Sequence, residues 1–248
     1  SNERGGAVFM DGFDDEIYSD EELEKILRGT AFLSAHTAKR LFERGFGNYT
    51  GVNAEPWNGE NVSGERLYVN GNDCSAQVGI HKLMPLNSEV EVCSEAYHIT
   101  GGKHREMLFP AVTRFKNAAG GTAVVFCGTP RTEYNYCDAF SFLNESRKRQ
   151  MAELLRESGN LPIYYPDDAE VLLRAAYTEN AGELFCSVFN IGLDVLPEIR
   201  LTADRIVKSV KVLDKDGEFR PVKFSTDGNT VTVGYSAEIL MPVIMLIN

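Results

Sequence analysis

The sequence predicts an α/β domain with a β-rich insertion, followed by a β-sandwich. Three observations predict it. Over about forty residues from Ala7, short apolar runs alternate with amphipathic helical stretches, the grammar of a parallel sheet. From Phe46 to about Phe109 the chain is rich in Gly and Asn, with short alternating pieces such as Glu65 to Val69 and Glu89 to Tyr97. Beyond Pro166-Asp167-Asp168 helical patterns vanish and short strands with turn punctuation take over. The expected domains are residues 1–166 and residues 167–248.

Taken in order, Ala7 to Met10 is an apolar run after Gly5-Gly6 and reads as a strand. Asp11 to Glu24 then carries eight acidic residues and no basic one. Within it Ser19 and Glu22 form a capping box, Leu23, Ile26 and Leu27 an apolar stripe, and Gly29 a stop. Acids in a first helical turn suit the helix dipole, so a solvated acidic helix start is expected here and not a metal site. Thr30 to Ser34 reads as a second strand. Ala35 to Arg44 comes next as a helix with Ala38, Leu41 and Phe42 on its inner face. Ala111 to Lys116 and Gly121 to Cys127 flank Asn117-Ala118-Ala119-Gly120-Gly121, a hairpin signal. Leu143 to Ser158 is a helix with Leu143, Met151, Leu154 and Leu155 on one side and Arg147, Lys148 and Arg149 on the other. Leu161 to Tyr165 reads as a further strand of the first domain. Seven runs from Val171 to Ile247 then give the sandwich.

Composition excludes several function classes. Acidic residues outnumber basic ones, 36 to 25, for a net charge of −11. The excess is shared almost evenly by the two halves, and neither offers the basic stripe a nucleic-acid binder needs. An apolar fraction of 43% is too high for a disordered chain. No apolar run approaches the ~18 residues of a membrane-spanning helix. The five cysteines (Cys74, Cys93, Cys127, Cys137 and Cys186) are odd in number and lack CxxC spacing. They suggest neither a disulfide framework nor a zinc site, and free thiols favour the cytoplasm. The chain begins Ser1-Asn2 without methionine, so a longer parent is expected.

Chemistry is thin. Ser34 and His36 stand where a strand opens into a helix, the geometry of a nucleophile elbow, which would make them a serine-hydrolase pair. The GxSxG pattern is absent, and the commoner role of a serine there is a helix cap. His81, His98 and His104 have no metal-ligand spacing. Glu55 sits beside Trp57 in Asn53-Ala54-Glu55-Pro56-Trp57. An acid next to the chain's single Trp could belong to a sugar-binding loop, because indole faces stack on sugar rings. Tyr134 and Tyr136 offer a second aromatic-polar rim. There is no P-loop, no Rossmann glycine signature and no EF-hand, so no cofactor and no metal is expected.

The stretches Ser19 to Leu27, Thr30 to Ser34 and Ala38 to Val52, taken in order, resemble the later half of a glutamine-amidotransferase-like domain. That domain, called the trimerisation domain, follows the catalytic barrel in bacterial β-galactosidases and related glycoside hydrolases. Phe140 to Tyr165 is similar to the end of the same domain. Ala176 to Asn248, with Phe189-Asn190-Ile191-Gly192-Leu193-Asp194 and Met241 to Ile247, is similar to the small C-terminal β-domain of these enzymes. The resemblance implies an incomplete flavodoxin-like sheet whose opening strands are missing. It also implies a catalytic barrel preceding this region in the same protein, and a homo-oligomer. It transfers no catalytic residue: the family's two catalytic glutamates lie in the barrel, and the elbow cysteine of true amidotransferases is replaced by Ser34-Ala35-His36. The resulting expectation is an accessory, oligomerising region of a glycoside hydrolase, not catalytic by itself. Two alternatives remain: a carbohydrate-binding module built on Trp57, Tyr134 and Tyr136, and a serine hydrolase using Ser34 and His36.

Overall fold

A computed structural model describes residues 7–102, 104–129, 144–159, 161–178 and 182–248. The chain forms two compact units, Ser1–Asn160 and Leu161–Asn248. In chain order the first unit contains β1 (Val8–Met10), a 3-10 turn (Asp14–Ile17), α1 (Asp20–Leu27), β2 (Thr30–Ser34), α2 (Ala35–Glu43) and α3 (Gly47–Thr50). After these come β3 (Val52–Pro56), β4 (Gly64–Leu67), β5 (Asp73–Cys74), β6 (His81–Pro85), β7 (Glu91–Thr100), β8 (His104–Lys116), β9 (Thr122–Phe126) and α4 (Glu145–Glu157).

Seven strands make one mixed sheet in the order β1-β2-β9-β8-β7-β4-β5. Only β1, β2 and β9 are parallel. From β9 outward every pairing is antiparallel. The doubly wound sheet expected from the strand–helix alternation is thus present only as three strands, and the described fold is mostly β. The reason lies in the connections: β7, β8 and β9 succeed one another through short turns, and short turns join antiparallel neighbours. Gly101 and Gly102 make the turn between β7 and β8 with φ of +59° and +77°. The β8–β9 pair is the hairpin expected from Asn117 to Gly121, in register from Val112↔Phe126 to Lys116↔Thr122.

Flanked by β1 and β9 and covered on both faces, β2 has all five of its residues buried. Alternation sends Ala31 and Leu33 to a core shared with Leu23, Leu27, Ala38 and Leu41 of α1 and α2. It sends Phe32 to the opposite core, with Val112, Val124, Phe126 and Leu154 of α4. The β3–β6 ribbon closes the first core through Val52, Ala54 and Leu83.

The capping box is present: Ser19 Oγ accepts from the Glu22 amide, and the Glu22 carboxylate accepts from the Ser19 amide at 2.8 Å. These hydrogen bonds hold the exposed Glu22 carboxyl below its usual range. Their stabilisation is therefore present above the ordinary glutamate value and disappears as pH falls through the lowered one. Ser19→Ala is expected to cost roughly 1 kcal/mol. It should also return the Glu22 titration, followed by NMR, toward the ordinary value. An unchanged titration would refute the assignment.

The acidic stretch departs from expectation at one residue. Asp15 is fully buried, with its carboxylate on Arg40 Nε at 2.7 Å and Arg44 Nη1 at 3.2 Å. The cluster is therefore solvated only in part: its 3-10 turn is fastened to α2. A second departure concerns Arg147. Placed on the charged face of α4 by its neighbours Lys148 and Arg149, it is 0% exposed. Leu143, also assigned to this helix, lies outside the described residues.

The second unit packs two sheets on one core. The first is β10 (Ile163–Tyr164), β13 (Ile199–Ala203), β17 (Thr230–Val233) and β16 (Phe224–Asp227). The second is β11 (Val171–Tyr177), β12 (Leu184–Asn190), β18 (Pro242–Ile247), β14 (Val210–Leu213) and β15 (Phe219–Pro221). Cys186, Val188, Leu201, Val231 and Met245 meet between them. The strand expected at Leu161 to Tyr165 does not complete the first sheet. It pairs with β13, Ile163 opposite Ala203 and Tyr164 opposite Thr202.

Candidate functional site

Open parallel sheets bind ligands outside the carboxyl ends of their strands. Here β1, β2 and β9 run into Asp11, Ser34 to His36, and Cys127 to Thr129. Asp11 Oδ1 accepts from the Gly12 amide at 2.7 Å, and Oδ2 accepts from the Thr129 hydroxyl. The Asp11 amide donates to Asp14 Oδ2 at 2.9 Å. The Thr37 hydroxyl donates to the Gly12 carbonyl at 3.1 Å, tying the loop after β1 to α2.

Ser34 is the N-cap of α2. Its Oγ accepts from the Thr37 amide at 3.2 Å and lies 3.1 Å from the Thr37 hydroxyl. The residue is 2% exposed. Its backbone is ordinary extended chain (φ −71°, ψ 156°), without the strain of a nucleophile elbow. His36 points elsewhere: its ring meets Phe13 edge-on at 5.0 Å and His81 at 5.8 Å. His81 Nδ1 lies 2.9 Å from the Gly79 carbonyl. The result is an aromatic and imidazole cluster beside the cap rather than a Ser–His dyad.

Glu55 and Trp57 are brought near one another without converging. Glu55 is exposed on β3, in register with Lys82. Trp57 is half-buried: Nε1 donates to the Glu60 carbonyl at 2.8 Å, and the ring tilts onto Phe109 at 4.8 Å. Gly59 lies so close that a Cβ there would stand 2.3 Å from the indole. The ring is thus engaged by the protein itself. Tyr134 and Tyr136 lie outside the described residues. His98 Nδ1 is 2.7 Å from the Asn61 carbonyl. Among the described residues, no three His, Cys, Asp or Glu side chains are grouped to hold a metal ion. Likewise, no helix among them is long and apolar enough to cross a membrane.

Thiol chemistry is suppressed at the four described cysteines, Cys137 lying outside the described residues. Burial pushes Cys74, Cys93 and Cys186 up to about 12, and Cys127 well above its usual value. Iodoacetamide near neutral pH is expected to leave all four unmodified in the native chain and to alkylate them in urea. Native labelling of Cys74 or Cys93, read by peptide mass, would contradict this.

A buried polar cluster between the sheet and α4 has no counterpart in the sequence patterns. Glu65, 1% exposed, receives both Arg147 nitrogens, the Ser94 hydroxyl and Gln77 Nε2. Glu65 and Arg147 stand 82 residues apart in sequence, so no local spacing signals the contact. Beside the cluster, a cleft of about 290 Å³ opens between α4 and strands β7 and β8.

No family model matches this sequence. No curated protein matches it either. Among solved structures it is similar to α-L-fucosidase isoenzyme 2 from Paenibacillus thiaminolyticus, with a TM-score of 0.58 and 10% identity. The match covers 98% of this chain and 40% of that one. At this identity the likeness is one of fold. The chain spans about two fifths of the length of that structure.

Proposed function

We propose that this chain is a non-catalytic accessory region of a glycoside hydrolase, serving to hold copies of the enzyme together. The observation that carries the reading is the fold likeness: nearly all of this chain matches a minority of an α-L-fucosidase chain. In this reading the matched part is a supporting region, and catalysis resides elsewhere in the longer protein. Ser34 adds support, since a buried cap with its oxygen committed to Thr37 is a poor nucleophile. In this reading the three parallel strands are the remainder of an amidotransferase-like sheet, and the partners are a catalytic barrel and further copies of the chain.

The test is an assay of the purified chain on p-nitrophenyl β-D-galactopyranoside and p-nitrophenyl α-L-fucopyranoside, with its mass measured by light scattering. No turnover and a mass that is a multiple of the chain's are expected. Turnover abolished by Ser34→Ala or Glu55→Gln would overturn the non-catalytic reading. A monomer at every concentration would overturn the oligomer.

A further inference from the structure

The outermost strand of a sheet exposes unpaired backbone groups, and chains keep such strands short or blunt them with proline, lysine or a bulge. Among the described residues, five of the six strands that end the three larger sheets run only two to four residues. β11 is the sixth. It ends the five-stranded sheet, runs seven residues as Val171–Tyr177, and holds neither proline nor lysine. Its register with β12 is unbroken from Val171↔Asn190 to Tyr177↔Leu184, so no bulge turns the edge away.

The ladder fixes which groups are free. The Ile191 amide donates to the Glu170 carbonyl and the Thr178 amide to the Glu183 carbonyl, both at 3.0 Å. Even-numbered residues therefore bond to β12, and the backbone groups of Val171, Leu173 and Ala175 point to the open edge. Val171 and Leu173 pack their side chains on the core. Leu172, 51% exposed, stands on the outer face between Glu170 and Arg174, which are exposed as well. Across β12, Arg174 faces Ser187 and not an acid.

These charges suit a second copy. A two-fold axis through Leu172 sets Val171 of each copy beside Leu173 of the other as hydrogen-bonded pairs, for about four backbone bonds. Leu172 then meets Leu172 of the second copy at the closer, non-bonded spacing, and Glu170 falls opposite Arg174 on both sides. Centred on Arg174, the strands would set two guanidinium groups face to face. Centred on Leu173, they would set Arg174 against Leu172. Centred on Val171, they would run into the bend at 167–169. The Leu172 register alone keeps the pairing within the strand and opposes unlike charges.

We propose that two copies of this chain join through antiparallel β11 strands, with Leu172 on Leu172 and Glu170 against Arg174, merging their five-stranded sheets into one continuous sheet. This rests on the reading that copies of the chain associate, and assigns that association a surface.

The test is sedimentation of the full chain over a range of concentrations, with amide exchange read by NMR. A dimer or an even multiple is expected, with exchange of the Val171 and Leu173 amides slowing as concentration rises. Leu172→Lys, at an exposed position that leaves the β12 pairing intact, sets two ammonium groups across the axis and should weaken dimerisation by about tenfold or more. Arg174→Glu, which opposes two carboxylates on each side, should weaken it by about tenfold. Combining Arg174→Glu with Glu170→Arg should restore it to within about threefold of the unchanged chain, a rescue that misfolding cannot mimic. Association that none of the variants alters, an odd multiple, or a double reversal that fails to rescue would overturn the β11 pairing and leave the oligomer reading standing. A monomer at every concentration would overturn both.

Discussion

Replacing Arg147 by methionine is expected to destabilise the first unit by about 3–5 kcal/mol, because it strands a buried carboxylate. Arg147 is 0% exposed and Glu65 1%. The guanidinium meets both carboxylate oxygens, with Nη1 to Oε1 at 3.0 Å and Nη2 to Oε2. Its remaining partners include Gln150 Oε1 and, at 3.4 Å, Cys74 Sγ. On the carboxylate side, Ser94 and Gln77 supply two further donors, and Gln77 Oε1 accepts from the Gly128 amide at 2.9 Å. Removing the arginine leaves Glu65 with neutral donors only, in a place water does not reach. Glu65→Leu alone should cost a similar amount for the mirror-image reason. The pair as such is a different matter, because its desolvation offsets most of its attraction. Arg147→Met combined with Glu65→Leu is therefore expected to recover much of either single loss, short of the whole because Ser94 loses its acceptor. Trp57 is the chain's only tryptophan and sits in this unit, so urea unfolding followed by its emission reports the first unit by itself. Additive losses in the double variant would contradict a coupled pair.

Legibility in the sequence depends on range. The Ser19 box, the Ser34 cap and the β8–β9 hairpin are written within three to ten residues of themselves, and local propensity declares them. The sandwich strands show through because alternation and turns repeat. Arg147 is illegible for the opposite reason. Its neighbours Lys148 and Arg149 are solvent-facing, and only Glu65, far back in the chain, reveals that this one helical position points inward. Asp15 is hidden the same way: an acid among acids looks solvated until Arg40 and Arg44 are seen to cover it. Gln150 is equally silent in the sequence, since only Arg147 fixes the orientation of its buried amide. The parallel sheet is smaller than local patterns suggest because strand–helix alternation stops after α2, and the later strands return through hairpins.

Asn117→Ala is the second large effect, expected at roughly 3 kcal/mol, because one side chain completes four backbone groups. Asn117 is 4% exposed. Its Nδ2 donates to the Leu27 carbonyl at 2.9 Å and to the Tyr49 carbonyl at 3.3 Å. Its Oδ1 accepts from the Ala119 amide at 3.1 Å and the Gly121 amide at 3.0 Å. Leu27 ends α1, where a helix leaves carbonyls without partners of its own. The hairpin turn thus caps that helix from outside, and the Thr122 amide reinforces the contact by donating to the Gly29 carbonyl at 2.8 Å. The approach is so close that a Cβ on Gly121 would stand 2.1 Å from the Leu27 oxygen and 2.8 Å from the Gly29 oxygen, both backbone atoms. Gly121→Ala must therefore push the hairpin off α1 and should equal or exceed the asparagine loss. Gly120 supplies the contrast. A Cβ there meets nothing within 4 Å, but φ is +90°, so Gly120→Ala should cost only the left-handed backbone strain, about 1–2 kcal/mol. The order Gly121, Asn117, Gly120 in Trp57-monitored unfolding separates a docked turn from a merely tight one. If Gly120→Ala were the most damaging, the turn's own conformation, not its grip on α1, would be holding β9 and the carboxyl end of the parallel strands in place.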